Sequence, residues 1–317
     1  MQKQSDLPPW EAIVIGGGAA GLSAALMLGR ARRRVLVIDA GSPRNRFAAH
    51  MHGVLGNEGT PPGELTARGR DEVSSYGGQF LDAAVDRVET HPGGVRVLAD
   101  GAAHTARALI VATGITDDLP DIPGLAERWG KSVLHCPYCH GWEFKDRRLG
   151  VLATSPAALH QAQLIRQWSD RVTLFAAAID PIERETAERL RSRGVDVVDA
   201  EVIAVVGEGD AVTAVRTADG KEVPVEAIFT ASSPRPHDGF LQGLDLARND
   251  LPFGMGSFLA VDQAGKTSND RIWAVGNVVN PMANVPMSIG SGSFTGGAVN
   301  GALVEEEFDR AQEALGR

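Results

Sequence analysis

Cysteine is nearly missing from this chain: two occur in 317 residues, Cys136 and Cys139. So few exclude a secreted disulfide framework, which needs several pairs. An excess of positive charge is missing too. Acidic residues outnumber basic ones by 40 to 31, giving a formal net charge of −9. That argues against a nucleic-acid partner, which would call for a basic face. No charge-free apolar run reaches the roughly 18 residues of a membrane span, so no membrane partner is expected. The opening MQKQSDLPPW lacks the apolar centre of a signal peptide and reads as a short loose arm. Compelling repeats and low-complexity tracts are absent as well. A cytoplasmic location is expected. What remains is an ordinary globular composition, 43% hydrophobic and 22% charged, in a chain long enough for two cored domains.

The segment EAIVIGGGAAGLSAALMLGRARRRVLVIDAG carries the clearest architecture. Ala12–Ile15 predicts a buried parallel strand running into glycines, Ala19–Gly29 a helix, and Val35–Ile38 a second strand closed by Asp39. The glycine- and proline-rich MHGVLGNEGTPPGEL reads as a loop, Glu64–Tyr76 as a helix, and 80–88 and 95–98 as short strands. ALIVATG, ending at Gly114, is another strand, and TDDLPDIPGL a connector. Strand–helix alternation restarts from about Lys131 and closes before SSPRPHDG, a second boundary. IWAVGNVV is a late strand, followed by a glycine- and serine-rich link and a final helix ending in VEEEFDRAQEAL. The expected fold is α/β, with two Rossmann-like three-layer dinucleotide-binding domains, the second inserted into the first. The expected boundaries are 1–116, 117–235 and 236–317.

Gly16, Gly18 and Gly21 form G-x-G-x-x-G directly after a strand and at the start of a helix. The first permits the tight turn, the second lets backbone approach a pyrophosphate, and the third lets helix and strand pack closely. The helix N-terminus offers free N–H groups and partial positive charge. Asp39, about 20 residues on, is placed for a ribose hydroxyl.

Cys136 and Cys139 lie in SVLHCPYCHGWEF. Zinc needs two further ligands, and no other cysteine exists, so no metal is expected. A disulfide closing so short a loop removes little chain entropy. A catalytic dithiol/disulfide remains, with a helix start favouring the thiolate and Pro137 compatible with a first turn. His135 and His140 flank the pair. Either suits proton removal from a substrate thiol, and the choice between them stays open.

With the glycine fingerprint, ALIVATG, the late VGN and the cysteine pair in the inserted domain, the chain resembles low-molecular-weight thioredoxin reductases. The resemblance implies FAD in the first domain, on Gly16, Gly18, Ala20 and Gly21, with Asp39, Ala40 and Gly41 at the adenosine ribose. It places Val85 at the adenine and Ala112 and Gly114 over the cofactor. Gly276 and Asn277 would reach the ribityl chain, Asn277 standing where the family has aspartate. The family's Arg-Gln pair near the flavin ring is replaced by Ala283 and Asn284, followed by Val285. Arg44 and Asn45 are candidate flavin contacts or members of a solvated loop. Cys139 would face the flavin and Cys136 the substrate, and the expected assembly is a homodimer.

The second domain has the strand and helix of a nucleotide site but not its glycines. Ala153, Ser155 and Ala158 stand where the family has G-x-G-x-x-A, and Ala176–Ala178 where it has a basic His-Arg-Arg cluster. A methyl at the first position strains the turn and a side chain at the second blocks the phosphate. Loss of NADPH binding is expected. A C-x-x-C-H pattern with a degenerate NADPH domain is similar to the dithiol oxidases of disulfide natural products, the gliotoxin and holomycin oxidases. That resemblance implies an antibiotic-biosynthesis enzyme that oxidises a small-molecule dithiol and passes electrons through FAD to O2, giving H2O2. The alternatives are a disulfide reductase driven by NADPH or ferredoxin, and a non-catalytic flavin redox sensor.

Overall fold

The computed structural model describes residues 10–316. The expected loose arm lies outside them, except that Trp10 already begins the first strand. In chain order the first unit contains β1 (Trp10–Ile15), α1 (Ala19–Arg30), β2 (Val35–Asp39), α2 (Pro62–Ser75), β3 (Gln79–Asp82), β4 (Val85–His91), β5 (Gly94–Ala99) and β6 (Ala102–Val111). β7 (Ile115–Asp118) leads out of it. The second unit holds β8 (Val133–Leu134), α3 (Pro137–His140), β9 (Arg148–Leu152), α4 (Ala157–Ile165), β10 (Arg171–Phe175), α5 (Arg184–Ser192) and β11 (Val195–Val198). β12 (Val202–Glu208), β13 (Ala211–Thr217), β14 (Glu222–Pro224) and β15 (Ala227–Thr230) complete it. The chain returns through β16 (Ser233–Pro236), β17 (Arg248–Asp250), β18 (Ser257–Leu259), β19 (Ile272–Ala274) and α6 (Val285–Leu315).

Among the described residues the first sheet has seven strands in the order β3-β2-β1-β6-β5-β4, with β19 also on β6. β1 is parallel to both β2 and β6. Its apolar run is continuous because both faces are covered: Ala12 and Val14 pack in one core cluster, Ile13 in another. Each buried Val, Leu or Ile contributes roughly 1.5–3 kcal/mol. The second sheet, β11-β10-β9-β15-β8, has five strands, all parallel. The fold is α/β with two Rossmann-like sheets.

Three sequence expectations change. The span 80–88 is two strands, β3 parallel to β2 and β4 antiparallel to β5; Ala83 and Ala84, outside both, separate them. The two connectors are not loose, since β7 and β16 pair as an antiparallel ribbon, Asp117 opposite Pro234. The glycine- and serine-rich link is helix: α6 runs for 31 residues from Val285, its N-terminus capped by Asn284 accepting from Met287 N. Glycine normally weakens a helix by about 1 kcal/mol, but here it permits contact with α1. A methyl at Gly292 would lie 3.0 Å from Ala20 Cα, and one at Gly296 2.6 Å from Ala24 O. Close backbone approach outweighs propensity.

Candidate active site

The glycine loop connects β1 to α1. Gly16 has φ +106°, and a methyl there would strike the Ala112 carbonyl, while one at Gly21 would strike the carbonyl of Gly16. The Cβ position of Gly18 faces open space with nothing within 4 Å, a cradle that a side chain would fill. No side chain caps α1 and no acid sits in its first turn, so its N–H groups and positive pole stay available to an anion. This cradle opens into a cavity of about 890 Å³ that is also lined by Asp39 and by both cysteines. Cavities of this order hold large cofactors, and the open backbone cradle fits the pyrophosphate of a dinucleotide.

Cys136 is the N-cap of the short helix α3, with the Cys139 and His140 N–H groups returning to its carbonyl at 3.2 Å each. Both cysteines are free thiols, half-buried. The hydrogen bond from the Cys139 thiol, helped by the N–H groups of Cys139 and Tyr138, lowers Cys136 to about 7. The same bond, together with burial, pushes Cys139 up. Of the two thiols, Cys136 is therefore the one that ionises first, with the remaining proton on Cys139. A low thiol pKa of this kind makes a nucleophile near neutral pH.

Burial holds His135 below the ordinary histidine value, reinforced by the Arg44 charge and opposed by Asp117. Burial also lowers His140, with Glu143 opposing and His52 adding to the effect. Both imidazoles are thus neutral acceptors near pH 7. His140 sits edge-on to His52, ring centroids 6.1 Å apart.

Arg44 is pinned rather than solvated. It donates to both Asp117 carboxylate oxygens at 2.7 Å and to Pro281 O at 2.7 Å. The Ser232 hydroxyl donates to Asp117 at 2.6 Å. Burial works to raise Asp117, but the Arg44 bond and charge outweigh it and hold the carboxyl below its ordinary range. Its stabilisation is therefore complete above about pH 3.9 and is lost as pH falls further. Asp117→Asn, leaving Arg44 without its counter-charge, is expected to cost about 3 kcal/mol. Thermal melts should show it, and the wild-type advantage should shrink as the pH falls below 4. Equal melting of the two proteins at neutral pH would refute the assignment.

The second nucleotide loop lies on the same cavity, through Thr154, Ser155, Ala157 and Ala158. Ala153 and Ala158 are buried, and Thr154 is turned to donate to Ala231 O at 3.1 Å. Beyond β10, Ala176 is buried, and the first basic residue is Arg184. The loop offers neither bare backbone nor positive charge to a phosphorylated ribose.

The structure brings most of the sequence-predicted residues to this cavity: Gly16, Gly18, Ala20, Asp39, Gly41, Arg44, Asn45, Ala112, Gly114, Asn277, Asn284, Val285 and all four candidate catalytic residues line it. Gly21, Ala40, Val85 and Gly276 do not. Gly21 and Gly276 are packing positions, the latter with its Cβ site 2.8 Å from Ala20 Cβ. Asn277 does more than accept: its amide donates to Ala283 O at 2.8 Å and Asn280 O at 3.0 Å, which an aspartate in its place could not do. Sequence reasoning missed Asp117, placed in a connector, and His52, placed in a loop. Their partners are distant in the chain or exposed, and no motif marks them.

The family model described as pyridine nucleotide-disulphide oxidoreductase matches residues 10–292. The chain is similar to "Thioredoxin reductase tcpT" of Claviceps purpurea, 32% identical over 299 residues, covering 90% of this chain and 92% of that one. "Thioredoxin reductase aclD" of Aspergillus oryzae is 28% identical over 314 residues, covering 95% and 98%. Among solved structures, HlmI superposes with a TM-score of 0.90 at 43% identity, covering 98% of this chain and 97% of that one. An oxidoreductase from Agrobacterium tumefaciens gives 0.88 at 37%, covering 94% and 99%.

Proposed function

We propose, from the premise that this chain belongs to the pyridine nucleotide-disulphide oxidoreductase family, that it is an FAD-dependent dithiol oxidase. It is an oxidoreductase of thioredoxin-reductase type; the direction of electron flow is the new reading. Its natural division is 1–116 with 236–317 for the flavin and 117–235 for the cysteine pair. FAD would lie with its pyrophosphate over Gly16–Gly21, its ribose toward Asp39, and its ring toward Cys136 and Cys139. Bound there, it supplies an acceptor for the electron pair of the cysteines and a donor for O2.

The residues account for the remaining steps. One substrate thiolate attacks Cys136 of the oxidised pair, forming a mixed disulfide and releasing Cys139 as thiolate. The second substrate thiol gives its proton to His135 or His140 and attacks the sulfur joined to Cys136. The cyclic disulfide leaves, and the cysteine pair is left reduced by two electrons. The balance is R(SH)2 + O2 → RS2 + H2O2, two protons being given up by the substrate and two taken up by peroxide.

The observation that carries this reading is the contrast between the two nucleotide loops. The first keeps its open cradle at Gly18, whereas the second has Ala153, Ser155 and Ala158 and no basic residue between β10 and Arg184. The printed names of the curated relatives favour the rival, an NADPH-driven disulfide reductase. Rapid anaerobic mixing separates the two. A dithiol such as dithiothreitol is expected to bleach the flavin at least about a hundredfold faster than NADPH, a difference of roughly 2.7 kcal/mol in barrier. Admitting air should then release peroxide. Fast bleaching by NADPH would reverse the conclusion. Bleaching by dithiol without catalytic peroxide release would favour a sensor.

The proposed assembly is a homodimer, supported by apolar side chains left exposed along α6, among them Met287, Phe294 and Phe308. Among the described residues no helix is long and apolar enough to cross a membrane; a cytoplasmic location is part of this proposal.

A further inference from the structure

The segment 51–60, a loop by its glycines, is built around one imidazole. Backbone bonds close it at its ends, Met51 N to Thr60 O and Gly59 N to Met51 O at 2.9 Å each. Glu58 folds back inside the loop. One of its oxygens accepts from Gly53 N at 2.8 Å and the other meets His52 Nδ1 at 2.7 Å. A carboxylate can only accept, so Nδ1 carries the hydrogen and Nε2 is the basic nitrogen of the neutral ring. That nitrogen lies 3.5 Å from Oε1 of Glu143, which follows His140 in the chain. The ring itself is perpendicular to His140 at 6.1 Å between centroids, and both imidazoles line the cysteine cavity. The outer end reaches water: the Glu58 side chain is 63% exposed, against 23% for His52.

We propose that His52, held by Glu58 and flanked by Glu143, is the proton exit for His140. The inference rests on the dithiol-oxidase reading and adds to it a route for the proton that each substrate thiol must lose. His140 accepts that proton inside the cavity. His52 takes it at Nε2, directly or through one water, and releases the proton it already holds at Nδ1 toward Glu58 and solvent. One proton enters and one leaves, so His52 is unchanged except for its tautomer, which ring rotation or solvent exchange restores. Because His52 acts through His140 rather than on substrate, it is a positioning and relay residue. The arrangement also selects His140 over His135 as the base: among the described residues only His140 has a second imidazole beside it, whereas the charges felt by the His135 ring are those of Arg44 and Asp117.

The test uses the flavin-loaded enzyme, a dithiol substrate, and a dilute buffer that is itself a poor proton carrier. His52→Ala is expected to lower turnover about tenfold, a modest share of the 10²–10⁴ that general acid–base catalysis supplies. Added free imidazole should restore most of that loss without accelerating wild type. His52→Asn, which keeps a donor for Glu58 and so preserves the loop, should behave the same way and guards against collapse of the Ala variant. A merely structural role would give slow variants that imidazole does not rescue. That result, or variants turning over at the wild-type rate, would overturn the relay. If dithiols fail to reduce the wild-type flavin at all, the oxidase reading fails and the relay falls with it; reduction of wild type with no imidazole response in the variants overturns the relay alone.

Discussion

Serine in place of either Cys136 or Cys139 is expected to cut dithiol turnover by at least about a thousandfold, the scale of losing a covalent nucleophile. A hydroxyl cannot form the mixed disulfide, and one remaining thiol cannot collect an electron pair. Neither residue belongs to the glycine cradle, so both variants should purify with flavin and its absorbance intact. Full activity in Cys136→Ser would refute the scheme. The same pair makes a pH prediction. Cys136 is lowered to about 7 chiefly by the bond from the Cys139 thiol, so alkylation of the reduced enzyme by iodoacetamide should rise with a midpoint near that pH. Cys139→Ala removes the donor and should move the midpoint up toward an ordinary thiol, about 8.5. An unmoved midpoint would mean that the helix start, not the partner thiol, sets the charge.

Gly292→Ala is expected to destabilise the protein by roughly 2–3 kcal/mol, although alanine is the better helix former. The added methyl meets the backbone of Ala20, with Cα 3.0 Å away and the carbonyl closer. Backbone cannot rotate aside as a side chain can, so the helices α1 and α6 must separate. Since Ala20 stands in the first turn of α1, flavin affinity should drop along with the melting temperature. Gly290 is the control. A methyl there meets nothing within 4 Å, so Gly290→Ala should hold or raise stability. Equal effects from the two substitutions would show that the contact between the helices does not limit stability.

The parallel strands and the glycine loop were legible because their chemistry is local. A buried strand needs an unbroken apolar run, and a pyrophosphate needs glycine at set positions. The cysteine pair was legible by elimination, there being no other ligand or partner cysteine. What escaped the sequence depended on distant chain. α6 looked like a loop because the glycines that favour coil locally are the ones that admit α1 from 270 or so residues earlier. Arg44 finds Asp117 at a separation of 73 residues, and β7 pairs with β16 across the whole of the second unit. His52 carries no motif at all; Glu58, six residues on, gives it a role.

One cavity holds the glycine cradle, the cysteines and the altered loop after β9. A dinucleotide seated on that loop and a guest approaching Cys136 would have to share the same vestibule. If the coenzyme has lost its foothold, as proposed, the vestibule would belong to the guest alone, its width set by side chains that line it, such as Ser155 and Ala157. Enlarging or narrowing that threshold should retune which thiols are admitted while leaving the redox pair itself untouched.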